Sequence, residues 1–206
     1  GRLGVRGETA ARSFGFYPKG GGRVGCTVEP AEVLAPCLVR ERGRLIRLRM
    51  VSAVGNLPKT IAERQLHSAL TALKGKLERG LPMDIETREL TILGQGTFIF
   101  IKAEYEHAVA GFAALGARGK PAETVGAEAA DEFLDHHESG EPIDPHLADQ
   151  LVLYLARGTG GSLFRTSRVT SHLQTNLLVA GYFLKLACRL EGREGGPGAV
   201  AVIPQV

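Results

Sequence analysis

Between Arg44 and Leu115 the apolar residues change period twice, from two to that of a helix and back to two. No other feature restricts the fold as much. From Arg44 to Val51, Ile46, Leu48 and Met50 alternate with Arg47 and Arg49, the pattern of a half-buried strand. After Asn56-Leu57-Pro58, the stretch Thr60 to Glu78 sets Ile61, Leu66, Ala69, Leu70, Leu73 and Leu77 at helical spacing, and Gly80 and Pro82 are expected to end it. Three strand-like runs follow: Asp84 to Leu93, Thr97 to Ala103 and His107 to Leu115. Gly94-Gln95-Gly96 and Glu104-Tyr105-Glu106 separate them and have the length of hairpin connections. Four strands and a helix make a compact α+β module over residues 42–116.

The flanks have a different rhythm. Gly1 to Phe14 is polar and rich in Gly and Arg, and reads as a loose tail or the remnant of an earlier element. Gly15-Phe16-Tyr17-Pro18-Lys19-Gly20-Gly21-Gly22 then breaks any regular structure before Val24 to Val28 resumes as a strand. On the other side of the module, Pro121 opens a helix running to about His137, with Ser139-Gly140 as its stop. Asp144-Pro145 starts another, His146 to Ala156, because Asp caps well and Pro suits the first helical position. Ser162 to Val169 reads as a strand, and a third helix begins at Thr170-Ser171-His172, with Ser171 and Gln174 at capping-box spacing. Ala199 to Ile203 reads as a closing strand.

Composition narrows the function. With 206 residues the chain can bury a core without disulfides or a structural metal. Lys and Arg number 25 against 22 Asp and Glu, and this excess is too small to argue for nucleic acid by itself. Arg40, Arg42, Arg44, Arg47 and Arg49 crowd together, as do Arg157, Arg165 and Arg168. Both runs fit a solvated strand face or a phosphate-binding surface. No apolar run approaches the ~18 residues of a membrane span, so a soluble protein is expected. Cys26, Cys37 and Cys188 form no C-x-x-C pair, which leaves zinc unsupported and fits buried thiols in a reducing, cytoplasmic setting.

Two groups of residues could carry chemistry. His172 follows a strand and a short turn, in the first turn of a helix whose unpaired amides form an anion site. A neutral imidazole there can attack phosphorus and form a phosphoramidate, although the spacing equally fits a histidine capping its own helix. His146, Asp149 and Gln150 lie at i, i+3 and i+4, hence on one helix face. A ring to stack, a carboxylate for ribose hydroxyls and an amide suit a nucleoside, and the same three residues suit an ordinary polar face. There is no G-x-x-x-x-G-K-[ST] loop and no G-x-S-x-G elbow. No histidine stands at metal-ligand spacing, so no metal ligands are assigned.

The segments Gly15 to Gly22, His146-Leu147-Ala148-Asp149-Gln150-Leu151 and Thr170-Ser171-His172-Leu173-Gln174-Thr175-Asn176 resemble, in order and separation, the RNA 3'-terminal phosphate cyclases. The stretch Gly119 to Ala130 is similar as well. The resemblance implies an α+β / α/β fold: a large domain of repeated β-α-β-α-β-β units with a small inserted α+β domain. It divides the chain into residues 1–41, the insert at 42–116, and a repeat at 117–206 carrying the nucleotide site. It implies that His172 takes AMP from ATP, with a divalent cation, expected to be magnesium. AMP then passes to an RNA 3'-phosphate, and the adjacent 2'-hydroxyl closes a 2',3'-cyclic phosphate. Asp149 and Gln150 match nucleotide-binding positions, and His146 stands where many members have a tyrosine that stacks on adenine. Arg165 or Arg168 could reach a phosphate but are not carried over from the family. Members are longer, so an N-terminal half or a homo-oligomer partner is expected to complete the cleft. A non-catalytic RNA-binding or ribosome-assembly relative and an inactive fragment are the alternatives.

Overall fold

The computed structural model describes residues 3–205 as a mixed α/β chain. In chain order the elements are β1 (Gly7–Ser13), β2 (Arg23–Val28), β3 (Leu38–Val39), β4 (Leu45–Gly55), α1 (Lys59–Leu73), β5 (Met83–Leu90), β6 (Gly96–Tyr105), β7 (Val109–Leu115), α2 (Ala122–Ser139), α3 (Pro145–Leu155), β8 (Ser162–Thr166), α4 (Ser171–Phe183), β9 (Leu186–Gly192) and β10 (Gly198–Pro204). They form three sheets: β1-β2, β5-β4-β6-β7 and β3-β8-β10-β9. No helix among the described residues is long and apolar enough to cross a membrane.

The period switch produces the second of these sheets. Leu48, Met50, Ser52 and Val54 of β4 point to one face, with Ile99, Ile101 and Ala103 of β6 and Phe112 of β7 on the same side. α1 covers that face with Leu66, Ala69 and Leu73. Ile46, expected on the buried side, is 47% exposed, because the pairing register shifts between Leu45 and Arg47. The helix stops at Leu73, ahead of the expected Gly80, with Gly75 in the left-handed region at φ 76°. β5 and β6 do not form a hairpin. β5 runs parallel to β4 after the α1 crossover, and β6 takes the opposite edge of β4. The connection 91–95 is long enough for either arrangement, since crossing one strand needs only ~10 Å. Asn56 fastens it across the end of β4, donating from Nδ2 to the carbonyls of Ile92 and Gly94 at 2.8 and 2.7 Å.

α2, assigned above to residues 117–206, lies in the same apolar cluster as this sheet through Val125, Ala129, Ala130, Phe133 and Leu134. The packed unit therefore continues past 116. Its two helices meet at Gly126, where a Cβ would stand 2.1 Å from the Gln65 carbonyl oxygen of α1. Beneath that crossing Gln65 is fully buried, accepting from Ser52 Oγ at 2.7 Å and donating to Thr97 Oγ1 at 3.0 Å. Gly126→Ala is expected to force the helices apart and to lower stability by roughly 1–3 kcal/mol despite the better helix propensity of alanine. Urea unfolding measures it, and an unchanged midpoint would contradict the close crossing.

Four arginines of the run, Arg42, Arg44, Arg47 and Arg49, find partners within this unit. Arg42 donates to the carbonyl oxygens of His136 and His137 at the end of α2, and its guanidinium lies 4.6 Å from the Tyr105 ring centroid. Arg44 pairs with Glu106, and Arg47 and Arg49 with Asp84 or Glu104. Arg44, Arg47 and Arg49 are thus held in surface ion pairs, and Arg42 in backbone hydrogen bonds.

The opening segment is a strand. β1 pairs antiparallel with β2, its alternation hidden because both faces of the ribbon are largely exposed. The loop between them docks on the insert sheet: the Phe14 and Phe16 rings lie 5.9 and 6.4 Å from that of Phe98, and Phe16 fills the space where a Cβ at Gly96 would be. β9 carries no period in the sequence, and it closes the third sheet beside β10. Of the cysteines only Cys37 is buried, whereas Cys26 and Cys188 are exposed, and none is in a disulfide.

Candidate functional site

The third sheet and its helices place the two motif segments together. Asp144 caps α3, accepting from the His146 and Leu147 amides at 3.0 and 2.8 Å, and its own burial raises its carboxyl above the usual range. Just before it, Ile143 pairs with Thr166 at the carboxyl end of β8. α4 begins at the same end, five residues after Thr166, and its cap is Thr170 rather than Ser171: Thr170 Oγ1 accepts from the Leu173 amide at 3.1 Å. Both helices thus start beyond the carboxyl end of one strand, where α/β sheets hold their ligands. They run side by side over the core of Phe164, Val200 and Val202.

His146 and His172 are each the second residue of their helix, so both sit in the first turn. The helices are joined directly: Asn176, one turn beyond His172, donates from Nδ2 to the Asp149 carbonyl oxygen at 3.1 Å. The His172 ring is exposed and has no hydrogen-bonding partner among the described residues. Gln150 is exposed and Asp149 partly so. His146 is engaged, its Nε2 lying 2.8 Å from Glu132 Oε1 of α2.

The two arginines differ. Arg165 is locked to Glu141, with Nε 2.7 Å from Oε2, and is not a free phosphate ligand. Arg168 is 3.6 Å from Glu132 and lines a cavity of about 270 Å³ with Asp135, His136, Pro145 and Ser167. A second groove, about 730 Å³, runs between α4 and β9 along Ser171, Gln174, Leu178, Tyr182 and Cys188. His172 lines neither. Among the described residues no three His, Cys, Asp or Glu side chains gather into a metal site.

The carboxyl end of a helix favours a cation, yet His136 in the last turn of α2 is not held as one. It is 1% exposed, between the rings of Tyr105 and Phe112, and burial together with Arg42 pushes its pKa down to about 4. Its Nδ1 is 3.1 Å from Ser167 Oγ, a further side-chain link between α2 and the third sheet's unit. Glu132, Ser167 and Asn176 were assigned no role from sequence. Asn176 stands in a quoted motif, whereas the Glu132 contact crosses a turn between two helices and leaves no periodic trace.

Residues 40–138 match the family model for the insert domain of RNA 3'-terminal phosphate cyclase. The chain is also 39% identical over 195 residues to the RNA 3'-terminal phosphate cyclase of Hyperthermus butylicus, covering 92% of this chain and 54% of that protein. It belongs to the RNA 3'-terminal phosphate cyclase family. Cyclases of Thermococcus gammatolerans and Pyrococcus abyssi are each 38% identical, over 98% and 100% of this chain and 58% of their own lengths. The chain spans a little over half the length of the curated relatives it matches. The matched insert runs through nearly all of α2, in step with the apolar cluster that joins α2 to the second sheet.

Proposed function

We propose that this chain carries the nucleotide-transfer part of an RNA 3'-phosphate cyclase, with His172 as nucleophile. A ring nitrogen of His172 attacks the α-phosphorus of ATP; a P–N bond forms, the α–β P–O bond breaks and pyrophosphate leaves. An oxygen of the RNA 3'-phosphate then displaces the imidazole and takes AMP. The neighbouring 2'-hydroxyl attacks the 3'-phosphorus, loses its proton and expels AMP, leaving the 2',3'-cyclic phosphate. Amides at the α4 N-terminus are suited to the charge that builds on the phosphate oxygens. The observation carrying this reading is the exposed His172 ring, without a partner among the described residues, beside the Asp149 helix, the two helices tied by Asn176.

Asp149 serves the ribose hydroxyls, Gln150 lies on the same face, and His146 offers a ring to adenine. Magnesium would be held by the ATP phosphates together with one or two carboxylates and water, the donor set this ion takes beside a nucleotide. The order β3, α3, β8, α4, β9, β10 supports one β-α-β-α-β-β unit of the large domain, interrupted after β3 by an insert that includes α2. Cys26, Cys37 and Cys188, none of them in a disulfide, fit a cytoplasmic setting. Leu178, Tyr182 and Phe183 of α4 are 59%, 76% and 83% exposed, which supports a further layer, from the N-terminal half or a second copy, over that helix.

Incubation with α-labelled ATP and magnesium tests the reading, with the chain alone and with the remaining portion of a relative supplied in trans. An acid-labile adenylyl group on the peptide containing His172 is expected. No label in either state overturns the enzyme and favours a non-catalytic RNA-binding relative. Asp149→Ala is expected to weaken ATP roughly tenfold or more, the scale of a hydrogen bond to a charged group, and to leave RNA-end binding intact. Equal losses for both would refute the ribose role.

A further inference from the structure

The residue proposed to face adenine is not held by its own helix alone. Glu132 Oε1 lies 2.8 Å from His146 Nε2 and 3.6 Å from an Arg168 nitrogen. Glu132 belongs to α2, which packs on the insert sheet. One carboxylate therefore joins the insert, the first turn of α3 and the segment leading to His172. The Glu132 side chain keeps 23% of its surface exposed and that of His146 63%, so the ring is held by one edge and its surface stays largely open.

An ionised carboxylate only accepts hydrogen bonds, so the His146 nitrogen facing it is the protonated one. A ring fixed this way has lost its rotational freedom before any ligand arrives, and ordering it adds no further cost when a base stacks. A tyrosine at this position has no ring N–H to offer, and its phenolic O–H stands farther out than the imidazole Nε2, beyond the place where Glu132 meets the ring. Arg168 leans on the same oxygen, which holds the carboxylate in place.

We infer that Glu132 is a positioning residue for the base of the nucleotide: it holds the His146 imidazole so that its face is presented to a purine. The insert domain then takes part in nucleotide recognition through this one side chain. The inference rests on the function proposed above, since it needs a nucleotide at α3.

The experiment compares the wild type with Glu132→Ala, Glu132→Gln and His146→Tyr in the state used for adenylylation. It measures binding of ATP and of inorganic triphosphate, which has no base. Glu132→Ala is expected to weaken ATP roughly fivefold, as for one hydrogen bond, and to leave triphosphate unchanged. Glu132→Gln, whose amide oxygen still accepts from Nε2–H, should return most of the affinity. In the His146→Tyr background, Glu132→Ala should no longer affect ATP. Equal losses for ATP and triphosphate, or the same loss with tyrosine present, overturn the role. The nitrogen resonances of the His146 ring provide a readout without nucleotide. They should report Nε2–H in the wild type and a mixed tautomer in Glu132→Ala; an unaltered ring signal overturns the inference. If the wild type binds no ATP at all, the cyclase reading fails and this role with it. If ATP binds and both readouts ignore Glu132, this role alone fails.

Discussion

His172→Ala is expected to remove the covalent nucleotide entirely, with adenylyl transfer reduced by roughly a thousandfold or more. The reaction splits one displacement into two through a P–N bond, and alanine offers no atom to form it. The nearest ring in an equivalent position, His146, has its Nε2 on Glu132, so it does not stand in. The fold should be indifferent to the change. His172 is exposed, and the first turn of α4 is capped by Thr170 and anchored by Leu173, which is fully buried. The melting curve should therefore overlay that of the wild type within ~0.5 kcal/mol. Labelling that survives in the variant would move the nucleophile to another residue, whereas labelling lost together with stability would leave the assignment to Asn and Gln replacements at the same position.

Acidification should destabilise the protein by about 3 kcal/mol between pH 7 and pH 4 through His136 alone. Its folded pKa is about 4 against an ordinary value near 6.5, so below pH 6.5 the unfolded chain binds a proton that the folded chain refuses. Stability on this account is full above the unfolded value, falls as pH drops toward 4, and loses nothing more below it. Asp144 acts in the opposite sense at the acid end, because its raised folded pKa favours protonation of the native state. Denaturant titrations at half-unit pH intervals measure the slope. His136→Phe, which joins the rings of Tyr105, Phe112 and Phe133, should flatten that slope by up to one proton. An unchanged slope would contradict a neutral, buried His136.

The contrast between His136 and His172 indicates what a sequence can disclose. Both stand at helix ends, and local spacing treats each by its dipole. For His172 that is sufficient, since its surroundings are its own first turn. For His136 the deciding neighbours are Tyr105 and Arg42, thirty and more residues away, so its neutrality is invisible along the chain. Strands behave likewise. Alternation revealed β4, β6 and β7 because one face is buried, whereas β1 and β9, exposed on most of both faces, show none. Sheet order depends on which edge of β4 accepts β6, and a five-residue connection cannot specify that. The three motif segments were legible as a set because each lies within a few residues, and the α3–α4 junction made by Asn176 was not.

The Arg42 fork has a bearing on how such a chain could have been assembled. Arg42 stands where the polypeptide leaves β3 for the insert, and it grips His136 and His137, 95 residues downstream of it at most, where the polypeptide returns toward α3. The excursion ends beside its own beginning. To the host unit it is a short bridge between β3 and α3, and the entropy of closing that bridge does not grow with the number of residues folded beyond the clasp. A module hinged on a clasp of this kind can be gained, lost or exchanged without re-threading the sheet that carries it.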